Sequence, residues 1–140
     1  MPDNKEKEAQ ELYVEFKMLD EQIKQLQKHL ELITNQLVEL TVSNNSLDEL
    51  KKISSEKNIF VPVSSGIFAK AVINDTSQLF VNIGANVIVQ KNLDSTKKLI
   101  QNQIEEIKNI QKKILEDLEK MTNRAMHLER QLQGIMASSQ

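Results

Sequence analysis

The sequence predicts an α+β fold: a long antiparallel α-helical coiled-coil hairpin with two central β-hairpins whose strands join those of other subunits in a shared sheet or barrel. Three observations predict it. Apolar residues recur at alternating steps of four and three through the first and last thirds of the 140 residues. Between those thirds, SSGIFAKAVINDTSQLFVNIGANVIVQK, Ser64 to Lys91, carries charge only at Lys70, Asp75 and Lys91. Two of the three glycines, Gly66 and Gly84, fall in this middle stretch, inside turn-like runs.

The first arm follows from its spacing. Leu12, Phe16, Leu19, Ile23, Leu26, Leu30, Ile33, Leu37 and Leu40 keep the 4, 3 rhythm, and Asn44 and Leu47 continue it. About five heptads of this kind exceed the three or four that argue for a coiled coil. From Leu12 to Leu47, 36 residues give about 54 Å of helix. The last third has two such columns. Leu93, Ile100, Ile107, Ile114, Met121, Leu128 and Ile135 form one; Lys97, Ile104, Gln111, Leu118, Ala125 and Leu132 form the other. A strict 3.5-residue period predicts a left-handed supercoil. The stretch Ser54–Asn58 reads as the end of the first helix. Asp94 and Ser95 read as caps of the second, and the terminal ASSQ as a frayed end. If the middle turns the chain around, the arms pair antiparallel and the termini meet at a common tip. The polar seam residues Asn44, Lys97 and Gln111 read as register or helix-end devices.

In the middle, four strands are expected: Ile59–Val63, Ile67–Ile73, Leu79–Ile83 and Val87–Lys91, joined by SSG, NDTSQ and GAN. Pro62 cannot donate a ladder hydrogen bond and places its strand at an edge. The strands are apolar on both faces, which requires cover on both sides. The helices bury their stripes against each other, and an isolated pair of hairpins is marginal. Assembly with other subunits resolves this. The residues expected to form that contact are Ile59, Val61, Val63, Phe68, Leu79, Val81, Ile83, Val87 and Val89. The chain divides accordingly into 1–56, 57–92 and 93–140 within a single domain of residues 1–140.

Charge excludes several function classes. The net charge of −2 conceals −5 over residues 1–56, +2 over 57–92 and +1 over 93–140. An acidic first arm and no strongly basic segment argue against nucleic-acid binding. Without Cys there is neither a disulfide framework nor a thiolate metal site. The opening MPDNKEKEAQ lacks the apolar core of a secretory signal, and no apolar run reaches the roughly 18 residues that span a bilayer. A cytoplasmic protein is expected, without membrane contact.

No phosphate loop, His-Glu-x-x-His, Gly-x-Ser-x-Gly or nucleophilic Cys occurs. Glu105, Glu106, Glu116, Asp117 and Glu119 read as solvated heptad faces. His29 and His127 are too far apart along an antiparallel pair to share a metal. The expectation is no catalytic residue, no metal and no cofactor.

The order helix, two β-hairpins, helix in about 140 residues resembles the α-class subunit of prefoldin. VPVSSG at Val61–Gly66 is similar to the family's Val-Pro-Val followed by a small Gly-rich turn. NDTSQLFVNIGANVIVQKNLD at Asn74–Asp94 is similar to its Asp-containing turn, alternating strand, Gly-x-Gly turn and Val-Glu-Lys entry to the last helix. Ser64 and Ser65 stand where the family often has Gly or Ala, Asn86 where a second Gly is usual, and Gln90 where Glu is usual. Richness in Lys, Asn and Ile and the short tails point to an archaeal subunit.

The resemblance implies an ATP-independent chaperone, or holdase. Two α and four β subunits would build a double β-barrel with six coiled coils around a cavity. Non-native client proteins would be held and passed to a group II chaperonin. Client contacts are then expected at the tip: Leu12, Tyr13, Phe16, Leu128, Leu132, Ile135 and Met136. For Phe16, Leu128 and Leu132, ordinary seam packing is an equally good reading. A structural or adaptor coiled coil that oligomerises through its hairpins shares the architecture and stays open on sequence grounds.

Overall fold

The structure, a computed structural model, describes residues 2–53 and 57–138. Helix α1 spans Pro2–Lys52 and α2 spans Leu93–Ser138. Between them lie β1 (Asn58–Ser64), β2 (Ile67–Val72), β3 (Gln78–Asn82) and β4 (Ile88–Asn92). The expected α+β class and element order are therefore present. The helix end expected at Ser54–Asn58 falls partly on 54–56, outside the described residues. The last helical residue is Lys52, after which the Ile53 amide donates to the Leu50 carbonyl at 3.2 Å. Lys51 and Lys52 sit in the last turn, where cations meet the carbonyl end of the helix dipole. Of the ASSQ tail, Ala137 and Ser138 are helical, and 139–140 lie outside the described residues.

The chain folds as two compact units, one of residues 1–36 with 107–140 and one of residues 37–106. They divide both helices and do not follow the segments 1–56, 57–92 and 93–140. In the first unit the two helical segments run antiparallel. Glu15 receives Arg124 Nη2 at 2.9 Å, and further along α1 Thr34 Oγ1 accepts Gln111 Nε2 at 3.2 Å. Ile33, Ile114 and Leu128 are the buried apolar residues among those described. Throughout both helices, every residue of the predicted heptad columns is at least half-buried. The charged positions between them are mostly exposed, as a one-stripe helix pair requires.

In the second unit, β1 and β2 pair antiparallel, with Ile59 opposite Ala71 and Pro62 opposite Phe68. The register slips by one residue between Pro62 and Ser64, a bulge beside the proline. The tight turn that follows places Gly66 at φ +75°, a conformation glycine adopts without cost. Strands β3 and β4 form a separate two-stranded sheet, with Val81 opposite Val89. Their turn is more demanding. Ala85 (φ 52°) and Asn86 (φ 60°) are both left-handed, and the Val87 amide closes the turn on the Gly84 carbonyl at 2.9 Å. Two successive left-handed residues are the mark of a type I′ turn, which matches the twist of the strands. Asparagine tolerates that conformation; alanine resists it, because its Cβ crowds the following carbonyl.

Strand β4 passes into α2 without an intervening residue. The capping residue is Asn92, not Asp94 or Ser95. Its Oδ1 accepts the Ser95 amide at 2.7 Å, and its carbonyl accepts the Thr96 hydroxyl at 2.8 Å. Asp94 lies inside the first turn, where its charge suits the amide end of the helix. Replacing the cap by Asn92→Ala is expected to cost about 1 kcal/mol. Ala85→Gly is expected to add about 1 kcal/mol by relieving the left-handed strain. Urea denaturation at matched protein concentration checks both signs.

Candidate functional site

The surface that stands out in the second unit is the pair of hairpins. Alternation puts Ile59 and Val61 with Ala71 and Ala69 on one face of the first hairpin, and Phe60, Pro62 and Phe68 on the other. In the second hairpin Leu79, Val81 and Val89 share a half-buried face with Lys91, while Phe80 and Ile88 project from the opposite face. Phe60, Val63, Ile67, Phe68, Phe80 and Ile88 are 59–75% exposed in the single chain. Of the nine residues expected to make subunit contacts, Ile59, Leu79, Val81 and Val89 are half-buried; Val61, Val63, Phe68, Ile83 and Val87 are exposed. Val81, on that half-buried face, is only partly covered by its own chain.

Phe60, Ile67, Val72, Phe80 and Ile88 are exposed large apolar residues that the sequence reading did not select. The signal was present. A strand apolar at consecutive positions shows large side chains on both faces, and only one face of each was chosen. Each sheet has two strands, so each strand also keeps one edge without a ladder partner among the described residues. Exposed large apolar side chains concentrated on two short hairpins mark an interaction site.

The second candidate lies in the first unit, where the ends of α1 and α2 come together. Ala9, Gln10, Tyr13, Val14, Leu132 and Met136 line an open groove of about 430 Å³. Lys7, Gln10, Glu11 and Val14 line a neighbouring one of about 410 Å³. Tyr13 is 53% and Met136 67% exposed. Lys17 Nζ stands 5.5 Å from the Tyr13 ring centre, within range of a cation–π contact. Leu12, Phe16, Leu132 and Ile135 are half-buried. Leu128 has no exposed surface and drops out as an accessible contact; it is a core residue of the seam. Val14 is the residue missed here. It lies off the heptad columns beside Tyr13, where an apolar side chain has no seam to enter.

The polar seam residues differ from one another. Gln111 meets Thr34, and Lys97 donates to the Asp48 carboxylate. Asn44 Oδ1 is buried and has no hydrogen-bond partner among the described residues. The hydrogen bond from Lys97 holds the Asp48 carboxyl below its ordinary value of 3.8; burial, the next largest influence, opposes this, and the charges of Lys97, Lys52 and Lys51 add smaller lowering effects. Asp75 is lowered as well, by the Ser77 hydroxyl and by the Ser77 amide at 2.8 Å. This is an Asx turn that shapes the connection between β2 and β3.

Among the described residues no group of three or more His, Asp or Glu could hold a metal ion. His29, His127 and four of the five clustered carboxylates, Glu105, Glu106, Glu116 and Glu119, are exposed, and Asp117 is half-buried. No described helix is long and apolar enough to cross a membrane.

The chain is similar to known proteins over most of its length. Residues 19–138 match the family described as Prefoldin, prefoldin subunit. The prefoldin subunit alpha of Pyrococcus horikoshii is 29% identical over 130 residues, covering 92% of this chain and 88% of that protein. Prefoldin subunit alpha 1 of Thermococcus kodakarensis is 33% identical over 100 residues, 71% of this chain and 68% of that protein. The prefoldin subunit alpha of Thermofilum pendens is 27% identical across 82% of this chain and 89% of its own. A filamentous PFD from Methanocaldococcus jannaschii, solved by cryo-EM, shares the fold with a TM-score of 0.71 at 17% identity, over 82% of this chain and 95% of that one.

The Asp48–Lys97 pair yields a pH expectation. Asp48 has a depressed folded pKa, so its contribution is present above 3.8 and is lost as pH falls through the folded value. Lys97→Met is therefore expected to destabilise near neutral pH, with the difference from the parent closing in acid below the carboxylate range. Melting curves across that range check it.

Proposed function

The chain belongs to the prefoldin family, as an α-class subunit, and on that premise we propose that it acts as an ATP-independent holdase within a hetero-oligomer. Prefoldin-family proteins are chaperone subunits that assemble with other prefoldin subunits. The finer reading for this chain has its β-hairpins in a shared β-barrel platform, two such subunits with four β subunits. Unfolded clients rest on the ends of the helix pairs and pass to a group II chaperonin. It works in the cytoplasm, without catalysis, and residues 1–140 act as one prefoldin-type domain.

One observation carries this reading. Large apolar side chains stand exposed in two separate places, the hairpins and the groove at the helix ends. The hairpins also offer strand edges, which is the chemistry of permanent pairing. Covering six of their large side chains is worth roughly 10 kcal/mol or more, enough to offset the cost of association. The groove at the helix ends has no strand edge and fewer apolar residues. A client gains roughly 1.5–3 kcal/mol for each side chain it covers there, so a single groove holds it weakly. Several grooves on one assembly raise the effective local concentration, so the assembly holds what one subunit releases. The adaptable thioether of Met136 suits contacts with varied partners.

Two tests separate the parts. Val81→Lys puts a charge on the half-buried face of the second hairpin, and sedimentation with the partner subunit is expected to show loss of the assembly. An unchanged assembly would remove the hairpins as its platform. Tyr13→Ser with Met136→Ser is expected to weaken suppression of client aggregation, with assembly and helix content unchanged and no dependence on ATP. Unchanged suppression would place the clients elsewhere on the assembly. An absence of suppression in the parent itself would favour a structural or adaptor coiled coil.

A further inference from the structure

We infer that residues 41–46 of α1 are a built-in bending point, a segment that opens locally while the helix on either side stays closed. The sequence there is Thr-Val-Ser-Asn-Asn-Ser, six successive residues of modest helix propensity in the body of a 51-residue helix. Three hydroxyls bond back to the preceding turn: Thr41 to the Leu37 carbonyl at 2.8 Å, Ser43 to Glu39 at 3.0 Å and Ser46 to Val42 at 2.9 Å. Such bonds compete with the amides for the same carbonyls, slightly destabilise a helix and favour bending.

The seam gives the second, independent observation. A polar residue in a coiled-coil seam commonly sets register, and it does so by finding a partner. Gln111 and Lys97 each have one. Asn44 occupies a seam position, and its buried Oδ1 has no partner among the described residues. A buried acceptor without a donor favours any motion that lets water reach it. The residue that should hold the seam here therefore favours opening it. The closed side chains that bracket the segment are different in kind: Ile33, buried in the first unit, and Asp48, ion-paired to Lys97 in the second. The inference concerns α1 alone and does not rest on client holding.

Hydrogen exchange read by mass spectrometry, on the full chain in its assembled form, tests it. The amides of 42–46 are expected to exchange about tenfold faster than those of 30–38 and faster than those of 47–50, a local minimum of protection. The combined variant Ser43→Ala, Asn44→Leu, Ser46→Ala is expected to slow the segment by roughly tenfold while leaving 19–33 unchanged. Exposed Ser46→Ala alone is expected to slow it in the same direction, and serves should the triple variant assemble poorly. Protection that declines steadily from 30 to 52 would overturn the inference, since that is ordinary fraying of a helix end. Fast exchange that the variants leave unchanged would also overturn it.

Discussion

A pair of helices with a seven-residue repeat can bury one stripe on each helix and no more. That constraint sets the rest of this structure. Every heptad residue of α1 and α2 is at least half-buried, so the continuous apolar stripe of each helix is already used. The hairpins are left with Phe60, Phe68, Phe80 and Ile88 in water, and the strands with unpaired edges. The molecule is complete as a helix pair and incomplete as a β-sheet. On the proposed reading, strands of other subunits supply the cover that the hairpins lack.

The same constraint limits what the helix ends can do. A fully buried column residue such as Leu128 belongs to the seam and offers nothing to a partner. Leu132, also a column residue, is half-buried and reaches the groove, beside the exposed off-column residues Tyr13, Val14 and Met136. They line an open groove and not a closed pocket, which suits contacts that form and break without chemistry. On the proposed holdase reading, strength is then a property of the assembly.

Much of this was legible in the sequence, and the reasons differ by element. The helices were legible because a 3.5-residue period over many turns has no other physical use, so the seam transferred residue by residue. The strands were placed within one residue at most of their ends because Gly66 and Gly84 mark conformations that few other residues adopt. The cap was misplaced because Asn92 also ends β4; a strand residue that caps the next helix looks like neither when read locally. The exposed faces of the hairpins were half seen. Alternation gives two faces but does not say which one the chain's own atoms cover, since that depends on neighbours distant in sequence. The orphaned Asn44 was not legible at all, because whether a seam amide finds a partner depends on the opposite helix. Gln111, which looks the same in sequence, found Thr34.

The central claim is that the hairpins are covered in the working protein while the helix-end groove stays open. Hydroxyl-radical footprinting of the isolated chain and of the chain assembled with its partner subunit measures both at once, because Phe, Tyr and Met all react readily. The account predicts that Phe60, Phe68 and Phe80 become strongly protected on assembly, with Tyr13 and Met136 as reactive as before. Phenylalanines that remain as reactive as Tyr13 in the assembled state would contradict it.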